Sequence, residues 1–233
     1  SSGSELEMEA EDALRSALRL GESVLIMGEV RGPETKSLYE AMRVGAAGNS
    51  IMGTIHGSST KDVFERVVYD LGIPPSSFKA TDMIAVASPI RSKGSIKRKR
   101  RLTQISEVGT DWKKDPIRED GFTDLLTYDP DNDEMKPNTA LKKCDSRILN
   151  TVAEKWSMNV SELKENLEIR ARIQRSLVKK SSSEGNKSLL EAETVLESNL
   201  TFHRLLEEEL QRDEIDYDRI FSKWQNWLDG IVP

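Results

Sequence analysis

Short hydrophobic runs alternate with helical patterns along the first third of the chain. Residues 4–20 carry apolar side chains three and four positions apart, which predicts an amphipathic helix. Residues 23–29 and 83–87 are short apolar runs, residues 49–56 form a less apolar segment of strand length, and helical patterns separate the three. Uninterrupted apolar runs of this length are typical of strands buried on both faces of a parallel sheet. The order of strands and helices therefore predicts an α/β layer with a mostly parallel sheet.

The pattern changes after residue 90. Residues 102–108 and 122–128 have the length and composition of strands, and we predict that they form a small hairpin layer. From about residue 138, apolar residues recur at helical spacing as far as the end of the sequence. We therefore predict three parts, an α/β core, a small β or linker region and an α-helical domain, over residues 1–108, 109–137 and 138–233.

The composition narrows the class of protein. The 233 residues include 34 Lys and Arg and 40 Asp and Glu, and the net charge of −6 disfavours a nucleic-acid binder that uses its whole surface. The single cysteine, Cys144, excludes an internal disulfide framework and suits a reducing cytoplasm. One cysteine and two histidines are too few for a tetrahedral Cys/His zinc site. We therefore expect a cytoplasmic protein without a structural zinc.

Polar residues follow the first two predicted strands. Gly28, Glu29 and Arg31 follow one strand, and Thr54 and His56 follow the next. Ligands of open α/β sheets bind beyond the carboxyl ends of the strands. A carboxylate there can orient a water for attack on phosphate, and an imidazole can hydrogen-bond a phosphate oxygen. On the residues alone, the alternative stays open that the acid only caps the next helix and the histidine is a structural turn residue.

Four sequence blocks occur in a fixed order, at residues 13–19, 24–31, 40–45 and 53–56. Together they resemble the secretion ATPases, the hexameric motors of type II secretion, type IV pilus assembly and archaeal flagellum-like systems. The resemblance covers about residues 4–108 and implies the C-terminal half of a RecA-like P-loop NTPase core, followed by the small β layer and the all-α domain. Gly32 and the single histidine of the last block are similar to the archaeal branch of the family.

The resemblance implies roles for individual residues. The strand that ends at Glu29 is similar to a Walker B strand, and this acid would polarise water or support the water shell of Mg²⁺ without ligating the metal directly. Arg31 belongs to the same motif and would contact phosphate or a neighbouring subunit. His56 belongs to a histidine box that would sense the γ-phosphate of ATP.

Four further residues are candidates for nucleotide binding by the same resemblance, and they are Gly28, Thr54, Arg15 and Arg19. For the two arginines, a helix surface that faces solvent or a neighbouring subunit is the favoured interpretation. The implied cofactors are ATP and Mg²⁺. The implied partners are further copies of the chain in a hexamer and an inner-membrane platform protein, so we expect a cytoplasmic protein peripheral to the membrane and no specific nucleic acid.

One departure from the family is evident. The sequence contains no Gly-x-x-x-x-Gly-Lys-Ser/Thr loop, and the nearest match, residues 48–54, lacks the lysine that reaches the β- and γ-phosphates. We expect this Walker A loop on a segment upstream of the present sequence, and we expect the chain alone to bind ATP poorly and to hydrolyse none at a useful rate. The alternatives are a non-catalytic adaptor or split-gene fragment of such a motor, or a nucleic-acid-binding or DNA-transfer module.

The basic run at residues 97–101 is the one strongly positive segment. It is compatible with binding of nucleic acid or anionic lipid. The favoured interpretation is an exposed hairpin that leads into the strand at 102–108. The helical region after residue 138 shows no residues that indicate a chemical role.

Overall fold

The computed structural model describes residues 12, 16, 24–44, 50–91, 96–212 and 215–231. The chain divides into two compact units, an N-terminal unit Ser1–Ile148 and a C-terminal unit Leu149–Pro233. Most of the helix predicted over 4–20 lies outside the described residues, although residues 12 and 16 are helical. The finer three-part division stays a prediction.

A parallel pair of strands opens the described part of the N-terminal unit. Strand β1 (Val24–Glu29) pairs with β2 (Ser50–Thr54) in parallel, and helix α1 (Glu34–Val44) lies between them in sequence. The first two predicted strands are thus confirmed as parallel neighbours. Helix α1 buries Leu38 and Ala41, which lie three positions apart on one face.

A second, antiparallel sheet follows. It contains β3 (Met83–Ile90), β4 (Lys99–Val108), β5 (Phe122–Asp129) and β6 (Glu134–Pro137) in that order. The predicted hairpin layer is confirmed, but the prediction that the third apolar run joins the parallel sheet is wrong, since β3 pairs antiparallel with β4. Ile84 and Val86 are buried and Ala85 is exposed, so the strand alternates. Because alanine counts as apolar even where it faces solvent, the sequence concealed this alternation.

Aliphatic and aromatic residues together form the core of the N-terminal unit. Helix α2 (Thr60–Glu65) continues into one π-helical turn (Arg66–Asp70), and a short helix α3 (Pro75–Phe78) follows. Phe64 and Phe78 are completely buried, and their rings meet edge to face with centroids 5.0 Å apart. This core fixes α2, whose first residue follows the loop that carries His56.

The C-terminal unit is all-α in its described residues, which confirms the predicted fold class of an α/β core with helical C-terminal region. After the short helix α4 (Thr139–Lys142), the chain forms α5 (Arg147–Lys155), α6 (Val160–Glu184), α7 (Ala192–Leu210) and α8 (Tyr217–Ile231). Within this unit Trp224 is fully buried, and its indole N–H donates to the hydroxyl oxygen of Ser198 at 3.2 Å. No helix in the described ranges is both long and hydrophobic enough to span a bilayer.

Candidate active site

The carboxylate of Glu29 contacts the imidazole of His56. Their Oε1 and Nε2 atoms are 2.9 Å apart, at the carboxyl ends of the paired strands β1 and β2. The two side chains are 41% and 76% exposed, so a ligand at this edge of the sheet can reach both. The structure therefore brings together the two residues that the sequence places at one edge of the sheet.

An irregularity in strand pairing aligns these two strand ends. Met27 pairs with Gly53, but the next pair is Glu29 with Thr54, so Gly28 is an extra residue on β1. The hydroxyl of Thr54 donates to the carbonyl oxygen of Gly28 at 3.2 Å. Gly28 and Thr54 are thus placed beside the candidate site, where they hold its two strands together.

Gly53 has a steric role that the sequence analysis did not assign. A Cβ atom at this position would lie 3.1 Å from the Leu38 side chain and 3.3 Å from the Val30 side chain. Both side chains are buried, so neither can move freely to make room. Glycine therefore allows β2 to lie close to α1.

Arg31 lies next to the acid but contacts it loosely. Its guanidinium is 73% exposed, and its Nη1 atom is 4.0 Å from Oε2 of Glu29. The backbone N–H groups of Arg31 and Gly32 both donate to Oε1 of Glu34 at 2.9 Å. These bonds, that from the Arg31 backbone first, lower the pKa of Glu34. Glu34, and not Glu29, therefore caps the start of α1, which leaves Glu29 available for chemistry.

Glu34 is a capping residue that was not predicted, although its sequence context carries a signal for it. An acid directly after Pro33 is typical of the first turn of a helix, where carboxylates bind free backbone N–H groups. Such a residue competes with Glu29 for the capping role. The structure distinguishes the two acids, because only Glu34 accepts hydrogen bonds from the backbone N–H groups of Arg31 and Gly32.

The loop after His56 is anchored where it enters α2. The Ser59 hydroxyl accepts a hydrogen bond from the backbone N–H of Asp62 at 3.1 Å. Ser58 donates to the Asp62 carboxylate through its hydroxyl and its backbone N–H, and these bonds lower the pKa of Asp62. The local chain thus fixes the backbone two residues beyond the histidine.

A polar network connects this loop to the antiparallel sheet. The hydroxyls of Thr60 and Ser106 are 2.7 Å apart, and Ser106 donates to the Asp124 carboxylate at 2.5 Å. Gln104 also donates to Asp124, at 2.7 Å, and accepts from the backbone N–H of Thr60 at 3.2 Å. The network holds the start of α2 against β4 and β5. No sequence pattern predicts it, because the residues that each hydrogen bond joins are 18 to 46 positions apart.

An open cleft of about 600 Å³ begins at His56. Its walls carry three carboxylates and one guanidinium, those of Asp62, Glu65, Asp70 and Arg66. Excess negative charge disfavours a polyphosphate in this cleft. The edge occupied by Glu29 and His56 is therefore a better position for a nucleotide phosphate than the cleft beside it.

The carboxylate at this edge of the sheet suits contact with a metal ion through water, and not direct ligation of the metal. Across the described ranges, no group of three or more His, Cys, Asp or Glu side chains is arranged to hold a metal ion. Mg²⁺ commonly keeps several waters and binds through substrate phosphates. A half-exposed carboxylate such as Glu29, with Oε2 free of short contacts to described residues, fits a bond to a metal-bound water. Glu29 thus fits the outer shell of a magnesium nucleotide.

The structure does not place every predicted site residue. Arg15 and Arg19 lie outside the described residues. Residues 99–101 of the basic run already belong to β4, which pairs with β3 as a hairpin, so this strand begins three positions before the predicted residue 102. Two of its members, Lys99 and Arg101, form ion pairs with Asp133.

Comparison with known proteins agrees with the resemblance seen in the sequence. The sequence model of the family described as type II/IV secretion system protein matches residues 3–200. The chain is also 30% identical over 179 residues to an uncharacterized protein of Methanocaldococcus jannaschii. That match covers 76% of this chain and 62% of the relative, so the chain spans about three fifths of the length of this curated relative. The chain belongs to the type II/IV secretion system protein family.

Proposed function

We propose that this chain is the part of a secretion or pilus-assembly motor ATPase that acts on the terminal phosphate of ATP. One observation carries the proposal. A carboxylate and an imidazole, those of Glu29 and His56, meet at 2.9 Å where two parallel strands end, in a chain of the secretion family. Strand ends of this kind are where α/β sheets bind phosphates.

In this proposal Glu29 orients the attacking water. Its Oε1 atom is held by His56, and its Oε2 atom is 4.0 Å from the Arg31 guanidinium, so one oxygen is positioned by the histidine and the other can accept from a water. When bound, ATP would supply the reacting phosphoryl group, and Mg²⁺ would neutralise part of the negative charge on its phosphates. Arg31 is exposed and can turn towards a phosphate or towards a neighbouring subunit.

His56 would connect the acid to the γ-phosphate. Its Nε2 atom contacts the acceptor-only carboxylate of Glu29, so the second ring nitrogen carries an N–H for a phosphate oxygen only when the imidazole is protonated. Loss of the phosphate would then leave this N–H without its acceptor. This change would report the nucleotide state to the rest of the chain.

The wider assignments rest on the family. We propose that the chain works in a homohexamer once a segment with a Walker A loop is present, with Arg15 and Arg19 on a surface that faces solvent or a neighbouring subunit. The motor would act at the cytoplasmic face of a membrane, on a platform protein, and drive protein export or pilin assembly. Membership of the archaeal branch stays a prediction.

The first test is ATP hydrolysis, measured as phosphate release. We expect no turnover from the chain alone, because its sequence has no lysine-bearing phosphate loop. Turnover is expected when an upstream segment that carries this loop is added, and it should disappear when the loop lysine is replaced by alanine. Turnover by the chain alone, or none by the complemented mixture, would contradict the proposal.

A second candidate is a non-catalytic adaptor of such a motor. An adaptor would bind a complete ATPase of the same family without contributing Glu29 to hydrolysis. Substitution of Glu29 separates the two candidates. It would stop ATP hydrolysis if the chain is part of the motor, and it would leave hydrolysis by the complex unchanged if the chain is an adaptor.

A further inference from the structure

A two-stranded arm extends beyond the rest of the antiparallel sheet. Strand β5 pairs with β4 only from Gln104 to Val108, whereas β3 pairs with β4 as far as Lys99. The segments 87–90 and 99–102 therefore pair with each other, and no third strand of the described residues pairs with them. We call residues 87–91 and 96–102 the basic arm.

The two faces of the basic arm differ in charge neutralisation. On one face, Asp133 accepts from Nε of Arg101 at 2.6 Å and lies 3.7 Å from Nζ of Lys99. Arg100 projects to the opposite face, since neighbouring residues of a strand alternate. Arg91, Arg98 and Arg100 are exposed and form no ion pair with any described residue. Positive charge is therefore concentrated on one side and at the free end of the arm.

Apolar side chains accompany these arginines. Ile96, at the free end, is 89% exposed, more than any other large hydrophobic side chain in the described ranges. On the face that carries Arg100, Leu102 is 38% exposed and lies directly opposite Ala87. The surface of a lipid bilayer has anionic headgroups above apolar acyl chains. A protruding aliphatic residue beside several arginines is complementary to such a surface.

We propose that the basic arm binds the surface of a membrane that contains anionic lipids. Arg91, Arg98 and Arg100 would bond headgroup phosphates, and Ile96 would enter the boundary between headgroups and acyl chains. Nucleic acid is the less suitable partner, because residues 84–105 contain no aromatic side chain on which a base could stack. Binding to a duplex backbone would also leave the isoleucine in water. This inference goes beyond ATP hydrolysis and does not depend on it.

The test is co-sedimentation of the full chain with lipid vesicles, without nucleotide. We expect binding to phosphatidylcholine vesicles that contain phosphatidylglycerol, little binding to phosphatidylcholine alone, and weaker binding at higher salt. The double substitution Arg98→Glu, Arg100→Glu should weaken partitioning by about thirtyfold or more, since each basic residue contributes about fivefold. Ile96→Ser should weaken it by about tenfold, and Ile96→Leu should retain it.

A matched control separates the arm from net charge. Lys142→Glu, Lys143→Glu makes the same change of net charge at exposed positions outside the arm, and it should bind vesicles as the unsubstituted chain does. Circular dichroism of each variant confirms that the chain is folded. Equal binding to neutral vesicles, or equal loss in arm and control variants, would overturn the proposal. Tighter binding of duplex DNA that is insensitive to Ile96→Ser would also overturn it and assign the arm to nucleic acid.

Discussion

Glu29→Gln is expected to abolish ATP hydrolysis by the complemented motor while the chain stays folded. Glutamine keeps the shape of the side chain but cannot accept a proton from water, and loss of a positioned acid-base group costs about 10² to 10⁴ in rate. The free energy of unfolding should change by less than about 1 kcal/mol, because the Glu29–His56 contact is substantially exposed to water. Phosphate release and denaturant unfolding measure the two quantities.

Glu40→Gln is the matched control for this substitution. Glu40 is an exposed acid on α1 of the same unit, and its removal should leave hydrolysis unchanged. Nucleotide binding by the Glu29→Gln motor should persist, because its acid is proposed to act on water and not to hold ATP. Hydrolysis at the unsubstituted rate in Glu29→Gln would remove this residue from the proposed chemistry.

Phe64→Ala is expected to give the largest loss of stability in the N-terminal unit. The side chain is completely buried, and its ring lies within 6.2 Å of four other aromatic rings, those of Tyr69, Phe78, Trp112 and Phe122. Removal of a buried phenylalanine ring costs about 3–5 kcal/mol in lost burial and in the cavity left behind. Urea unfolding followed by tryptophan fluorescence measures this loss.

Tyr69→Ala removes a ring from the following helical turn and provides the comparison. Tyr69 is 67% exposed, although its ring also contacts Phe64, so its loss should change the free energy of unfolding by about 0.5 kcal/mol. Similar losses for both substitutions would show that burial at position 64 does not dominate the core.

Much of the N-terminal unit could be predicted because its signals are local. The apolar runs that became β1 and β2, and the glycines and polar residues that follow them, are contiguous in the sequence. Strand order then placed Glu29 and His56 at one edge, where the structure brings them into contact. The family resemblance rested on the same blocks and is confirmed by the family match.

The features that could not be predicted depend on contacts between residues that are far apart in the sequence. The partner of β3 depends on which of its faces is buried, and exposed alanines concealed that face in the sequence. The network of Thr60, Ser106 and Asp124 joins residues from three elements that only the folded chain brings together. Charge pairing on the basic arm depends in the same way on Asp133, a turn residue 32 positions from Arg101.

The central claim is that Glu29 and His56 act as one unit on the terminal phosphate of ATP. A double-substitution cycle with Glu29→Gln and His56→Gln in the complemented motor tests this claim through the four rates of phosphate release. If the two side chains form one unit, His56→Gln alone slows hydrolysis and the double variant is no slower than Glu29→Gln. Unchanged hydrolysis in His56→Gln, or losses that multiply in the double variant, would contradict the claim.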